Sequence, residues 1–176
     1  MFTSPLDYLR QTLAAHRDKT VYSDGERSLT FAQVADLALA AASFLVGHTK
    51  PRTGVVVMSG RHVLTPVAFL GTAMAGCFYI PMDASLPVSR LNSILSVARP
   101  EHMIADRANL EAARALDFHG QIYVLEELLE TPRRPDAVRR ATEHLNEETA
   151  HWGRRSRTTP RFPRHREMRA FVSCMA

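Results

Sequence analysis

The sequence predicts an α/β fold in which helices flank part of a doubly wound parallel sheet. Apolar runs of strand length alternate with helical patterns from Gly54 to Leu129, and the connections between them are short. The run GVVVM at 54–58 is continuous and rich in β-branched residues, as in a strand buried on both faces. We therefore expect four parallel strands joined by right-handed crossovers. They lie near residues 54–58, 77–80, 102–105 and 121–125.

A helix and a hairpin precede the predicted sheet. The sequence SPLD at 4–7 is typical of a capped helix start, and leucines at helical spacing continue the pattern to about His16. The segment KTVYSDGERSLTF (19–31) then predicts a small hairpin. We expect Asp24-Gly25 to supply the positive φ angles of a tight turn.

The second helix begins after Thr30, which is placed to form a capping box with Gln33. Leu29 and Val34 occupy the positions of a hydrophobic staple, and Gly47 ends the helix. Its predicted buried stripe consists of Val34, Leu37, Ala38, Ala41 and Leu45.

Further helical patterns separate and follow the predicted strands. One runs from about His62 to Ala75 and stops at Gly76, and another has Pro87 in its first turn and Pro100 beyond its end. The inward residues of the latter are predicted to be Val88, Leu91, Leu95 and Ala98. The remaining helices are expected at Asn109–Leu116, at EELLE (126–130) and from Asp136 to Leu145.

The composition excludes several classes of protein. The 176 residues suffice for one domain with a core. The N-terminus lacks the pattern of a signal peptide, and no apolar stretch approaches the ~20 residues that span a bilayer, so we expect a cytoplasmic protein without a membrane partner. Cys77 and Cys174 form neither a disulfide framework nor a metal set, and the eight histidines show no ligand spacing. We expect no metal site.

Residues 151–176 differ from the rest of the chain. They carry seven arginines and one acid, whereas residues 1–150 carry 15 basic and 17 acidic side chains. We place a boundary after residue 150 and expect no regular packing of 151–176 against the sheet. Three interpretations are open: an out-of-frame translation, a disordered native tail, or an arm whose arginines neutralise nucleic-acid phosphates. The sparse aromatics argue against nucleic acid; they are Trp152, Phe162 and Phe171.

One stretch, AMAGCFYIPMDASLPVSRL (73–91), carries the most information about function. It combines a helix stop at Gly76, a predicted four-residue buried strand, and Pro81 and Asp83 at the carboxyl end of that strand. Such strand ends line the ligand crevices of open α/β sheets. A purely structural interpretation also accounts for these residues. In it, Gly76 ends a helix, Pro81 ends a strand, and Asp83 organises the following loop without a catalytic role.

The same stretch resembles the second core motif of adenylating ligases, A-G-x-x-Y-[VIL]-P-[LIM]-D. The segment SLTFAQVADLA (28–38) resembles the first motif of that family, LT[YF]xEL, with Gln33-Val34 in place of Glu-Leu. The matching residues are Leu29, Thr30, Phe31, Gly76, Tyr79, Ile80, Pro81 and Asp83. The resemblance covers about residues 3–149 and is closest to the amino-acid adenylation domains of nonribosomal peptide synthetases and to D-alanine-activating ligases.

The resemblance implies that residues 1–150 are the N-terminal part of an AMP-binding adenylation domain. Intact members use ATP and Mg²⁺ to adenylate a carboxylic acid, here an amino acid, and pass the acyl group to the phosphopantetheine thiol of a carrier protein. Their phosphate loop, YTSGSTGxPKG, would fall near residues 148–158, where this chain has one glycine, Gly153, and no lysine. Lys19 and Lys50 match no family motif.

We therefore expect a fragment that is inactive alone, that binds neither ATP nor Mg²⁺, and that contains no catalytic residue and no identifiable cofactor-binding residue. The alternative is a non-enzymatic fragment or binding module with a basic tail that contacts nucleic acid. For two single residues, Cys77 and His62, a functional role is weighed against a structural one. Cys77 is interpreted as a packed thiol rather than a nucleophile, and His62 as a solvated or capping side chain, with a ligand-facing role as its alternative. Four basic residues are expected to be mostly solvated: Arg133, Arg134, Arg139 and Arg140.

Overall fold

The computed structural model describes residues 5–141, apart from the side chains of residues 5–8 and 10. The elements in chain order are α1 (Pro5–His16), β1 (Thr20–Ser23), β2 (Ser28–Thr30), α2 (Phe31–Leu45), β3 (Gly54–Met58), α3 (Leu64–Met74), β4 (Phe78–Met82), α4 (Val88–Ala98), β5 (His102–Ala105), α5 (Leu110–Arg114), β6 (Gln121–Val124) and α6 (Leu125–Leu129). Residues 135–141 are also helical. The predicted cap at Ser4, the end of the last helix at Leu145 and the packing of residues 151–176 lie outside the described residues.

The four predicted strands form one parallel sheet in the order β4-β3-β5-β6. The chain moves from β3 to β4 in one direction and then, through β5 and β6, in the other. If all the β–helix–β crossovers have the same handedness, those that run in opposite directions along the sheet place their helices on opposite faces. The doubly wound α/β arrangement is confirmed, and the hand of the crossovers stays a prediction.

Two apolar clusters cover the two faces of the sheet. Val55 and Val57 of β3 pack with helices α2, α3 and α6, whereas Val56 and Met58 pack with α4 and α5. All four of these β3 side chains are at most 1% exposed. Successive residues of a strand point to opposite faces, so a continuous apolar run was needed to fill both clusters.

Helix α2 forms the capping box that the sequence predicts. The Thr30 backbone N–H donates to Gln33 Oε1 at 2.9 Å, and the Gln33 backbone N–H donates to Thr30 Oγ1 at 3.3 Å. The helix packs closely against α3, because a Cβ on Gly71 would lie 2.6 Å from Ala41 Cβ and 3.0 Å from the Ala38 carbonyl oxygen. Glycine at this contact therefore permits the close approach of the two helices.

The hairpin β1–β2 is present, but the prediction for its turn was wrong in one respect. Gly25 has a φ of 93°, whereas Asp24 does not lie in the left-handed region. The Asp24 carboxylate closes a longer turn instead, since Oδ1 accepts the backbone N–H groups of Glu26 and Arg27 at 3.1 and 2.8 Å. Asp24 acts through its side chain, in the manner of an Asx turn.

Strand β4 departs from its predicted burial. It begins one residue later and ends two residues later than the predicted strand at 77–80, and it includes Pro81, which pairs with Val57 in register. Among the described strands β4 lies at the sheet edge, and Phe78 and Tyr79 are 56% and 44% exposed. The prediction of a buried strand was therefore wrong. An edge position also explains why proline, which cannot donate to a ladder, is accommodated.

The other helices differ from prediction in small ways. Helix α3 begins two residues later than expected, and Gly76, with a φ of 77°, follows its end as predicted. In α4, Leu91 and Leu95 are buried, but Val88 and Ala98 are exposed, so the predicted inward stripe was half wrong. Pro87 is the residue before the helix rather than part of its first turn. Within residues 5–141, each helix is too short or too polar to cross a membrane.

Candidate functional site

The loops after β3 and β5 meet at the point where the chain reverses its direction of travel across the sheet. Ser59 and Gly60 follow β3 directly, and Asp106 follows β5. The Asp106 backbone N–H donates to the Met58 carbonyl at 3.2 Å, which extends the ladder between these strands. In open α/β sheets, the carboxyl ends of the strands on either side of such a switch point form the ligand crevice.

Asp106 is the centre of this region. Its Oδ2 accepts the Gly60 backbone N–H at 2.6 Å, the Ser59 hydroxyl at 3.1 Å and His62 Nε2 at 2.9 Å. Its Oδ1 accepts the backbone N–H and the side-chain amide of Asn109 at 2.8 and 2.7 Å. Five donors therefore converge on one carboxylate that is 2% exposed. This carboxylate ties the loop after β3 to the loop after β5.

The hydrogen bonds keep the buried carboxylate ionised. Burial raises the pKa of Asp106, but the hydrogen bonds from Gly60, His62 and Asn109 outweigh burial and lower the pKa to about 2. Hydrogen bonds to the charged form of a carboxyl group stabilise that form. At neutral pH the switch point thus contains a buried negative charge.

Both ring nitrogens of His62 are used. Nδ1 accepts the Leu64 backbone N–H at 3.2 Å, so Nδ1 has a free lone pair and the ring proton lies on Nε2. Nε2 donates to Asp106 at 2.9 Å. His62 precedes the N-cap residue Val63, which forms no side-chain cap bond, but its own ring accepts a backbone N–H at the start of α3, and this agrees with the predicted capping role. Its contact with Asp106, 44 residues away, was not predicted.

Two further backbone donors near the start of α3 have partners within the chain. The Val63 N–H donates to Asp24 Oδ2 of the hairpin turn at 3.0 Å, and the Thr65 N–H donates to the His62 carbonyl at 3.1 Å. The hydrogen bonds from Arg27 and Val63, in that order, lower the pKa of Asp24. One carboxylate thus connects the hairpin to the loop beside the switch point.

Two further carboxylates accept backbone N–H groups at the neighbouring strand ends. Asp83, after β4, accepts the Ser85 backbone N–H at 2.9 Å, and this bond lowers the pKa of Asp83. Glu126, after β6, accepts the Arg107 backbone N–H with both oxygens at 3.1 Å. The interpretation of Asp83 as the organiser of its loop agrees with this geometry.

The other residues singled out in the sequence lie away from the switch point. Cys77 is a buried thiol, 3.3 Å from Thr49 Oγ1 and 3.5 Å from the Lys50 carbonyl, which agrees with a packed role. Lys19 and Lys50 are exposed. Arg133 is exposed as expected, but it also forms a bidentate ion pair with Asp36 of α2. Its Nη2 donates to Oδ2 at 2.7 Å and its Nε donates to Oδ1 at 3.2 Å.

The sequence reasoning missed Asp106, Ser59 and Asn109. Their signal was the position of Ser59 and Asp106 directly after two apolar runs, since polar residues at strand ends are candidates for a switch point. Only the pairing of β3 with β5, which no local pattern encodes, brings the two loops together.

The described residues do not fit a magnesium–triphosphate group. Within residues 5–141, no three His, Cys, Asp or Glu side chains are arranged to hold a metal ion. The backbone N–H groups of Gly60, Val63, Leu64 and Asn109, which could otherwise contact phosphate, already donate to acceptors in this chain. No catalytic step can be assigned to these residues.

Comparison with known proteins places this geometry in context. The sequence profile of the family described as AMP-binding enzyme matches residues 9–165. Nonribosomal peptide synthetase dtxS1 of Metarhizium robertsii is 28% identical over 141 residues, which is 80% of this chain and 2% of that protein. Nonribosomal peptide synthetase kk1B of Curvularia clavata is 36% identical over 103 residues, 58% of this chain and 1% of that protein.

Solved structures show the same fold. A four-domain nonribosomal peptide synthetase bound to AMP and glycine superposes with a TM-score of 0.68 at 19% identity, over 78% of this chain and 10% of that one. The N-terminal subdomain of Klebsiella oxytoca NpsA, in complex with 3-hydroxybenzoyl-AMSN, gives 0.67 at 15% identity, over 74% of this chain and 33% of that one. The chain therefore spans 1–2% of the two named relatives and 10% and 33% of the two named structures.

Proposed function

The chain belongs to the AMP-binding enzyme family, and from this we propose that it forms the first part of a domain that activates an amino acid as its adenylate. In that reaction the substrate carboxylate attacks the α-phosphate of ATP, and pyrophosphate leaves. A carrier-protein thiol then displaces AMP to give a thioester. The family uses ATP together with a metal ion.

The observation that carries the proposal is the family match over residues 9–165. Three residues of the second core motif support the proposal, and each has a structural role in this fold. Gly76 ends α3, Tyr79 stacks on Phe69 at 4.5 Å between ring centroids, and Asp83 holds the loop after β4. We infer that this motif shapes the sheet and its loops rather than contacting the reacting atoms.

We further propose that the 176-residue chain is inactive alone. Adenylation needs donors that hold the triphosphate while charge develops in the transition state. At the switch point, the backbone N–H groups of Gly60 and Asn109, which could otherwise serve this purpose, donate to Asp106. Among the described residues we assign none to the choice of amino acid.

ATP–pyrophosphate exchange tests this inactivity. The purified chain of confirmed mass is assayed with a panel of amino acids, beside a sample without protein. We expect no exchange above that blank. Exchange that depends on a particular amino acid would contradict the proposal.

A chimera tests the positive half of the proposal. Residues 5–141 would replace the equivalent segment of the glycine-bound synthetase, and we expect glycine-dependent exchange to persist without a change of preferred amino acid. The matched control is the same chimera with Met103→Ala, a substitution that lowers the stability of the sheet centre and leaves every motif residue unchanged. A chimera that folds as a monomer but shows no exchange would count against a role in adenylation.

A further inference from the structure

We propose that the switch point is a built carboxylate receptor whose permanent occupant is Asp106, so that Asp106 is a positioning residue and this crevice is closed to ligand phosphates. The crevice of an open α/β sheet normally receives the anionic group of a ligand. Here a side chain of the protein occupies that place, directly after β5.

The donor set is that of an anion site. Gly60 N–H, the Ser59 hydroxyl and His62 Nε2–H point at one oxygen, and the two Asn109 groups point at the other. Four of these five donors belong to uncharged groups, and the fifth is the His62 ring, whose Nδ1 accepts the Leu64 N–H. The charge of Asp106 is therefore stabilised by oriented dipoles, as in backbone anion-binding sites.

The same arrangement excludes an external anion. Asp106 is 2% exposed, and its carboxylate occupies the donors that a phosphate entering the loop would need. The two N–H groups next to His62, on Val63 and Leu64, donate to Asp24 and to His62 itself. A nucleotide phosphate would have to displace these internal acceptors one by one. The loops are thereby fixed in one geometry before any ligand binds.

Chemical rescue tests the receptor directly. In the full 176-residue chain, Asp106→Ala removes the carboxylate and leaves room for formate, whereas Asp106→Gly removes one more carbon and leaves room for acetate. Thermal unfolding is followed at pH 7 in sodium formate, acetate or chloride at equal ionic strength. The control is Asp83→Ala, which removes an exposed carboxylate that accepts a backbone N–H at a neighbouring strand end.

We expect rescue matched to size. Formate should raise the melting temperature of Asp106→Ala by about 3 °C over chloride, because an anion that binds only the folded state stabilises it. Acetate should act more strongly on Asp106→Gly than on Asp106→Ala. The wild type and Asp83→Ala should respond to neither. A folded Asp106→Ala that gains nothing from formate, or an equal gain in Asp83→Ala, would overturn the proposal.

If Asp106→Ala and Asp106→Gly fail to fold in every salt, NMR of the wild type tests the same proposal. In ¹⁵N-labelled chain, the His62 ring should carry its proton on Nε2, and millimolar pyrophosphate should leave the Gly60 and Asn109 amide resonances unmoved. A proton on Nδ1, or saturable shifts of these two amides, would show that the donors are not committed to Asp106.

Discussion

The centre of the sheet and its β4 edge are built from similar apolar residues, yet they are packed very differently. In β3 and β5, Val55, Val56, Met103 and Ile104 are completely buried between two layers of helices. In β4, Phe78 and Tyr79 are about half exposed. The difference comes from position rather than composition, because a strand is buried on both faces only where helices cover both. The stability of this chain should therefore be concentrated in its centre.

The largest expected effect is a loss of packing at the centre. Met103→Ala should lower the free energy of unfolding by about 2–5 kcal/mol, because it leaves a cavity in the cluster beneath α4 and α5. The matched edge variant, Phe78→Ala, should cost less than about 1 kcal/mol, since half of its ring already faces solvent. Urea unfolding measures both. Equal losses would show that the edge is as well packed as the centre.

The second prediction concerns pH and the buried charge between β3 and β5. The pKa of Asp106 is lowered from 3.8 to about 2 in the folded state. Its contribution is therefore complete above the unfolded pKa and disappears as the pH falls from about 4 to 2. A shift of this size corresponds to roughly 2 kcal/mol.

Urea unfolding between pH 6 and pH 2 tests this linkage. The stability difference between the wild type and Asp106→Asn should shrink steadily below pH 4, whereas Asp83→Asn, at an exposed site, should show a smaller change. A difference that stays constant with pH would mean that Asp106 does not titrate as the geometry requires.

The smallest expected effect tests how tightly the central helices pack. Glycine to alanine in a helix normally stabilises by about 1 kcal/mol. Gly71→Ala should do the reverse, with a net loss of roughly 1 kcal/mol, because the new methyl would meet Ala41 Cβ at 2.6 Å. Thermal unfolding beside the wild type gives the sign. A stabilised variant would mean that α2 and α3 separate easily.

Much of this fold follows from local sequence patterns. The strands were predicted to within two residues at their ends, and the capping box of Thr30 and Gln33 was predicted with both of its hydrogen bonds. These features depend on residues that are close in the chain, so short windows contain the needed information. The parallel sheet followed from the alternation of strand and helix patterns.

The burial of β4 and the candidate site were missed for a different reason. CFYI reads like the buried strand GVVVM, but the order of strands, which places β4 at the edge of the described sheet, is not encoded in either run. The same limit hid the candidate site. Asp106 meets Ser59 and Gly60 only after β3 and β5 have paired, and a residue separation of 46 or 47 leaves no periodic trace. The hairpin contact between Asp24 and Val63 was missed for the same reason.

The thiol of Cys77 can report the rate at which the edge strand β4 opens. Cys77 precedes β4 directly and is 8% exposed, so a thiol reagent reaches it only when the strand and its loop move away from Thr49 and Lys50. With Cys174 replaced by serine, the rate of labelling would report how often β4 detaches while the centre stays folded. The lifetime of the edge, and not only its energy, thus becomes a measurable property of the chain.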